Sequence, residues 1–132
     1  MRSPAVLFRA LADDTRLQML ALIARHEELC VCELEAVLGI TQSKASRHLR
    51  YLLHAGWVRD RREAVWIHYR IADDLSPAHK TVLESIPRLL GAKEVDRLES
   101  RLADFHRGKG CSANQRRAAT LKRKQIRARH GH

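Results

Sequence analysis

The sequence predicts a mainly helical α/β fold, a winged helix-turn-helix whose wing is a two-stranded β-hairpin, and three observations carry that expectation. Apolar residues recur at helical spacing along most of residues 4–106. Gly39 and Thr41 punctuate two such stretches. Past the second, a run from Val65 to Ile71 alternates apolar and polar residues. At 132 residues, 45% hydrophobic and 30% charged, the chain is one domain's worth, with a core modest enough to gain from a dimer interface. No apolar run approaches the roughly 18 residues of a membrane span. The opening Met1-Arg2-Ser3-Pro4 leads into a stretch holding Arg9, Asp13 and Asp14, unlike a secretory leader. A cytoplasmic protein without a membrane partner is therefore expected.

In chain order, residues 4–12 spell a short helix with Pro4 near its first turn. Asp13-Asp14-Thr15 supplies a stop and a new N-cap. A core helix over about 15–26 follows, with Leu17, Leu20, Ala21 and Ala24 on one stripe. The stretch Glu28-Leu29-Cys30-Val31-Cys32 runs into a helix that Gly39 ends, and Thr41 is placed to cap the next, Gln42 to Ala55. On that helix Ala45, His48, Leu49 and Leu52 share a packing face, leaving Gln42, Ser43, Ser46, Arg47 and Arg50 on another. Residues 57–71 read as the hairpin, with Arg61 and Arg62 at its tip. A helix begins at Pro77, and Pro87 and Gly91 predict a kink or break between 86 and 93. A last amphipathic stretch spaces Val95, Leu98, Leu102 and Phe105 on one stripe. So much apolar helix flanking a small winged core predicts a homodimer formed through the terminal helices.

Charge divides the chain further. From Arg107 onward there are nine Lys/Arg and no acid, so residues 1–106 carry 16 basic and 15 acidic groups, and the net +10 is mostly a tail. The expected organisation is a DNA-binding and dimerisation domain over 1–106 and a basic, flexible tail over 107–132. Within the domain, residues 41–70 hold seven basic and two acidic residues, a net of +5 against −4 for the rest. An embedded basic block is the footprint of a nucleic-acid-binding face. Gln42, Ser43, Lys44, Ser46, Arg47 and Arg50, with Arg61 and Arg62 on the wing, are the candidate contacts. Gln and Arg can read adenine and guanine edges, and wing arginines can meet phosphates.

Three cysteines, an odd number, argue for thiols that bind metal, react or pack rather than for a disulfide framework. Two of them, Cys30 and Cys32, lie just ahead of the helix-turn-helix. No Ser/His/Asp constellation or Gly-rich phosphate loop points to an enzyme. A thiol oxidoreductase using Cys-x-Cys is a remote alternative that lacks the accompanying βαβ pattern.

The runs Leu11-Ala12-Asp13-Asp14-Thr15-Arg16-Leu17, Glu28-Leu29-Cys30-Val31-Cys32-Glu33-Leu34 and Ser46-Arg47-His48-Leu49, with the Arg61-Arg62 to Tyr69 segment, resemble the ArsR/SmtB family of bacterial metalloregulatory repressors. Within it they resemble the arsenical-resistance branch, over roughly residues 5–106. The resemblance implies a cytoplasmic dimer on double-stranded operator DNA, binding without a cofactor and released when arsenite or antimonite meets its thiolates. It places ligands at Cys30 and Cys32. A third family cysteine, three residues after the second, is here Glu35, which leaves Cys111, from the same chain or a partner, as the candidate third ligand. Cadmium/lead sensing and a thiol redox switch on the same fold are the alternatives. Because residues two apart on a helix point to nearly opposite sides, one ion held by both cysteines would be expected to unwind the helix entry.

Overall fold

The computed structural model describes residues 3–108, so Cys111 and nearly all of the basic tail lie outside the described residues. The elements run α1 (Pro4–Ala10), α2 (Asp14–Arg25), β1 (Leu29–Cys30), α3 (Val31–Leu38), α4 (Gln42–Ala55), β2 (Val58–Glu63), β3 (Trp66–Ile71), α5 (Pro77–Leu90) and α6 (Ala92–Arg107). The three strands form an antiparallel sheet in the order β1-β3-β2. The expected winged helix-turn-helix is present as α3, α4 and the β2–β3 hairpin.

Local signals explain most boundaries. Ser3, Asp13, Thr41 and Ser76 each sit extended ahead of a helix and accept a hydrogen bond from a backbone N–H of its first turn. The cap of α2 is therefore Asp13 rather than the Asp14-Thr15 end of the run. Gly39 closes α3 at φ +64, in the left-handed region where a side chain would be strained. The interruption expected between residues 86 and 93 falls at Gly91 (φ +94), while Pro87 is accommodated inside α5.

The core gathers around α2. Met19, Leu20, Ala21, Leu22 and Ile23 are all buried because α4, α5, α6 and β3 surround the helix, whereas Ala24, expected on its packing stripe, is exposed. Trp57 is fully buried, and its indole N–H donates to the Leu7 carbonyl at 2.9 Å, tying the end of α4 to α1.

Two expectations need correction. Val95, Leu98 and Leu102 of α6 are buried within the protomer, against α2, α3 and α5, so they are not the surface of a dimer. Among the described residues, the large apolar side chains left exposed on helices are Phe8, Tyr51 and Leu89. Arg61 and Arg62 are not at the wing tip either: Arg61 pairs with His68 and Arg62 with Ile67, and the turn is made by Ala64, at φ +54, and Val65. Register placed the turn two residues later than charge alone indicated.

Leu20→Ala, which empties a fully buried site, is expected to cost about 2–5 kcal/mol. Urea unfolding at fixed protein concentration checks it; an unchanged midpoint would contradict the assignment of α2 as the core helix.

Candidate nucleic-acid interface and sulfur site

The second helix of the helix-turn-helix, α4, is fixed at its start by the turn that precedes it. The N–H groups of Gly39 and Ile40 donate back to the Glu35 carbonyl at 2.9 and 3.3 Å, and Thr41 Oγ1 accepts from Lys44 N–H at 3.2 Å. Ala45, Leu49, Leu52 and Ala55 then bury one face of α4. Gln42, Ser43, Lys44, Arg47 and Arg50 are exposed, whereas Ser46, expected on the free face, and His48, expected on the packing face, are both half-buried. Its N-terminal end also carries the positive end of the helix dipole, which suits phosphate.

Behind this face lies a residue that periodicity did not single out. Arg16 Nε donates to the Ala10 carbonyl at 2.7 Å, its Nη1 lies 3.3 Å from His48 Nδ1, and its guanidinium stacks 4.2 Å from the centroid of the Tyr51 ring. One side chain thus joins α1, α2 and α4. Burial holds the His48 imidazole below its ordinary pKa; Asp13 opposes this, and the positive charges of Arg16, Arg47 and Lys44 add to it. In sequence Arg16 was visible only as one letter of a family-like run.

On the wing, Arg62 is exposed and Arg61 is not free to follow it. Arg61 donates through Nε to Glu28 Oε2 at 3.0 Å, through Nη2 to Glu28 Oε1 at 2.5 Å and through Nη1 to Glu63 Oε2 at 3.1 Å. The hydrogen bonds it donates to Glu28 hold its pKa above the ordinary arginine value. Both edges of the guanidinium are engaged within the protein.

The cysteine stretch is not one continuous helix. Leu29 and Cys30 form β1, paired with Tyr69 and His68 of β3, and Cys30 is the extended N-cap of α3 (φ −82, ψ 152), with Cys32 one residue inside the helix. The change of backbone between them turns both side chains the same way, and their sulfurs lie 3.2 Å apart. The divergence of residues two apart on a helix does not arise here, because Cys30 is extended and the helix begins only at Val31. Glu33, only 5% exposed, accepts the Cys30 N–H at 2.8 Å through one carboxylate oxygen, and its other oxygen meets His106 Nε2 near the end of α6. Glu35 is half-buried, and burial raises its carboxyl pKa. Among the described residues no three His, Cys, Asp or Glu side chains are grouped to hold a metal ion.

A helix-turn-helix backed by a three-stranded sheet with a β-hairpin wing defines the winged helix-turn-helix class, an architecture built to present a helix to DNA. Residues 13–60 match the family model described as bacterial regulatory protein, arsR family, and the chain belongs to that family. It is 52% identical over 69 residues to the arsenic resistance transcriptional regulator ArsR1 of Pseudomonas putida, and 45% identical over 69 residues to the arsenical resistance operon repressor of Escherichia coli. Each match covers 52% of this chain, and spans only 54% and 59% of those relatives' own lengths. Among solved structures it is similar to the AntR antimony-specific transcriptional repressor, with TM-score 0.53 and 35% identity over 73% of this chain and 79% of that one.

His48 carries a pH prediction. Its folded pKa lies below the ordinary value of 6.5, so the unfolded chain binds the proton first as pH falls. The stability it contributes is complete above that value and declines as pH drops through it toward the lower folded pKa. His48→Gln should flatten that part of a stability-against-pH curve measured by urea unfolding; an unaltered curve would contradict the burial assigned to the ring.

Proposed function

We propose that the chain is a homodimeric repressor that occupies operator DNA and leaves it when arsenite or antimonite is held by Cys30 and Cys32 as thiolates, Cys32 being released by reduction from the disulfide bond it holds in this structure, with Cys111 as the third sulfur. The observation that carries this reading is the 3.2 Å separation of the two sulfurs at the entry to the first helix of the helix-turn-helix. Two sulfurs bonded to one soft centre at about 2.3 Å, the length of a zinc–thiolate bond, and meeting near a right angle stand about this far apart. The names of the relatives, which concern arsenic, arsenicals and antimony, support the same ions.

The third position is argued from chain reach. The His106–Glu33 contact brings the end of α6 to the start of α3, and Cys111 follows Gly108 by three residues, a span of up to roughly 10 Å. Glu35, which stands where the resemblance implies a cysteine, offers a hard oxygen that a soft ion does not prefer. On the DNA side, Gln42, Ser43, Ser46 and Arg47 would meet base edges from the major groove, and Lys44, Arg50 and the wing's Arg62 would meet phosphates. Phe8 on α1 and Leu89 on α5, both exposed, supply apolar surface on terminal helices for a second copy. The nine positive charges from Arg107 onward would add affinity that is independent of sequence and sensitive to salt.

The test is operator binding followed by fluorescence anisotropy during titration with arsenite or antimonite. Cys30→Ser and Cys32→Ser are expected to bind operator like wild type and to resist release, and Cys111→Ser to need more arsenite. Normal release of Cys30→Ser would remove the sulfur pair from the reading. Arg47→Ala should weaken specific binding by about 1–3 kcal/mol and relax discrimination at one base pair; equal loss on unrelated DNA would instead make Arg47 a phosphate contact.

A further inference from the structure

We propose that Glu28 and Arg61 form a strut that transmits the state of the sulfur pair to the wing, so that both are positioning residues for release and Arg61 is not a DNA contact. The proposal rests on the function just stated and adds a route by which the ion's presence is felt at a second DNA-facing element.

The geometry is a row across the sheet. Cys30 of β1 pairs with His68 of β3, and His68 pairs with Arg61 of β2, so the sulfur-bearing residue and the wing arginine occupy the same rung. A second connection runs over the top of that rung. Glu28, immediately before β1, accepts two hydrogen bonds from the Arg61 guanidinium, at 3.0 and 2.5 Å, and its Oε1 stands 3.7 Å from His68 Nδ1. The remaining edge of Arg61 meets Glu63, the last residue of β2 before the wing turn, at 3.1 Å. The fork of Arg61 therefore spans from the strand that enters the sulfur site to the residue that enters the wing tip. A bidentate arginine–carboxylate pair fixes orientation as well as distance, which a single lysine charge would not. Glu28 and Arg61 are mostly shielded from solvent, with side-chain exposures of 17% and 30%, so the pair is less screened than a surface bridge.

An arginine already satisfied on both edges gains little from a phosphate, because binding one would strand the carboxylates of Glu28 and Glu63. As a lever it is well placed. Any displacement of Leu29-Cys30 when an ion draws on the sulfurs moves the β1–β3 pairing and Glu28 together, and with them the hairpin that carries Arg62. β1 is two residues long, so little pairing opposes that movement.

The experiment uses the full chain with its two tryptophans replaced by 5-fluorotryptophan. Trp66 pairs with Glu63 at the wing turn, and Trp57 is fully buried in the core, so the fluorine spectrum holds one wing reporter and one internal control. On adding arsenite without DNA, the Trp66 resonance is expected to shift in wild type and to stay in place in Glu28→Gln, with Trp57 unmoved in both. Glu28→Gln should bind operator within threefold of wild type and bind arsenite with the same stoichiometry, yet need on the order of tenfold more arsenite for half-release. A merely structural contact would lower the thermal midpoint without separating arsenite binding from release. The strut is overturned, with the function intact, if wild type releases DNA while Trp66 does not move and Glu28→Gln releases normally. It is also overturned if Arg61→Ala loses operator affinity with a salt slope lower by about one phosphate contact and an unaltered arsenite response. Wild type that binds no arsenite, or binds it without leaving DNA, overturns the function and the strut together.

Discussion

The buried carboxylate of Glu33 determines where the chain stops being a strand and becomes a helix. By accepting the Cys30 N–H it satisfies a donor that the first turn of α3 cannot satisfy for itself, and it holds Cys30 extended while Val31 turns helical. A hydrogen bond to a charged group of this kind contributes about 1.5–3 kcal/mol, comparable with burying a large aliphatic side chain. Its consequences reach well beyond one turn. The extended Cys30 is what allows β1 to pair with the wing, the strand-to-helix change is what brings the two sulfurs together, and the second carboxylate oxygen anchors the end of α6 through His106. Without Glu33 these three arrangements would lose their common origin.

Local chemistry made much of this fold legible in the sequence. Gly39 and Thr41 mark the turn of the helix-turn-helix because one tolerates a left-handed backbone and the other caps a helix, and the exposed face of α4 followed from spacing alone. Gly91 likewise marked the break before α6. What escaped was non-local. β1 is too short to show periodicity and exists through its pairing with β3, so the sequence showed the cysteines only at a helix entry and not the extended backbone at Cys30 that brings their sulfurs together. The stripe on α6 was read correctly as apolar, but spacing does not say which partner covers it, and here α2, α3 and α5 do. Arg61 looked like a wing-tip cation because its two carboxylate partners lie 33 residues upstream and two residues downstream, the first invisible to any local pattern.

The domain separates a rigid back from a yielding front. On the back, Arg16 clamps α1 and α2 to α4, and Trp57 stitches the end of α4 to α1, so the reading helix is held by hydrogen bonds to backbone carbonyls and by a cation over an aromatic ring. On the front, α3 meets α4 through a turn containing a left-handed glycine, with the sulfur pair at its far end. A disturbance entering there would meet a helix held from behind by those contacts.

The brevity of β1 has a kinetic meaning. Two residues contribute few ladder hydrogen bonds, and segments of that size open and reclose at free energies far below that of global unfolding. Cys30 can therefore leave its place beside β3 and return many times during the life of one folded molecule, each excursion leaving the α2 core undisturbed. Under the proposed function, the speed of the response would be governed by how often this two-residue latch lifts.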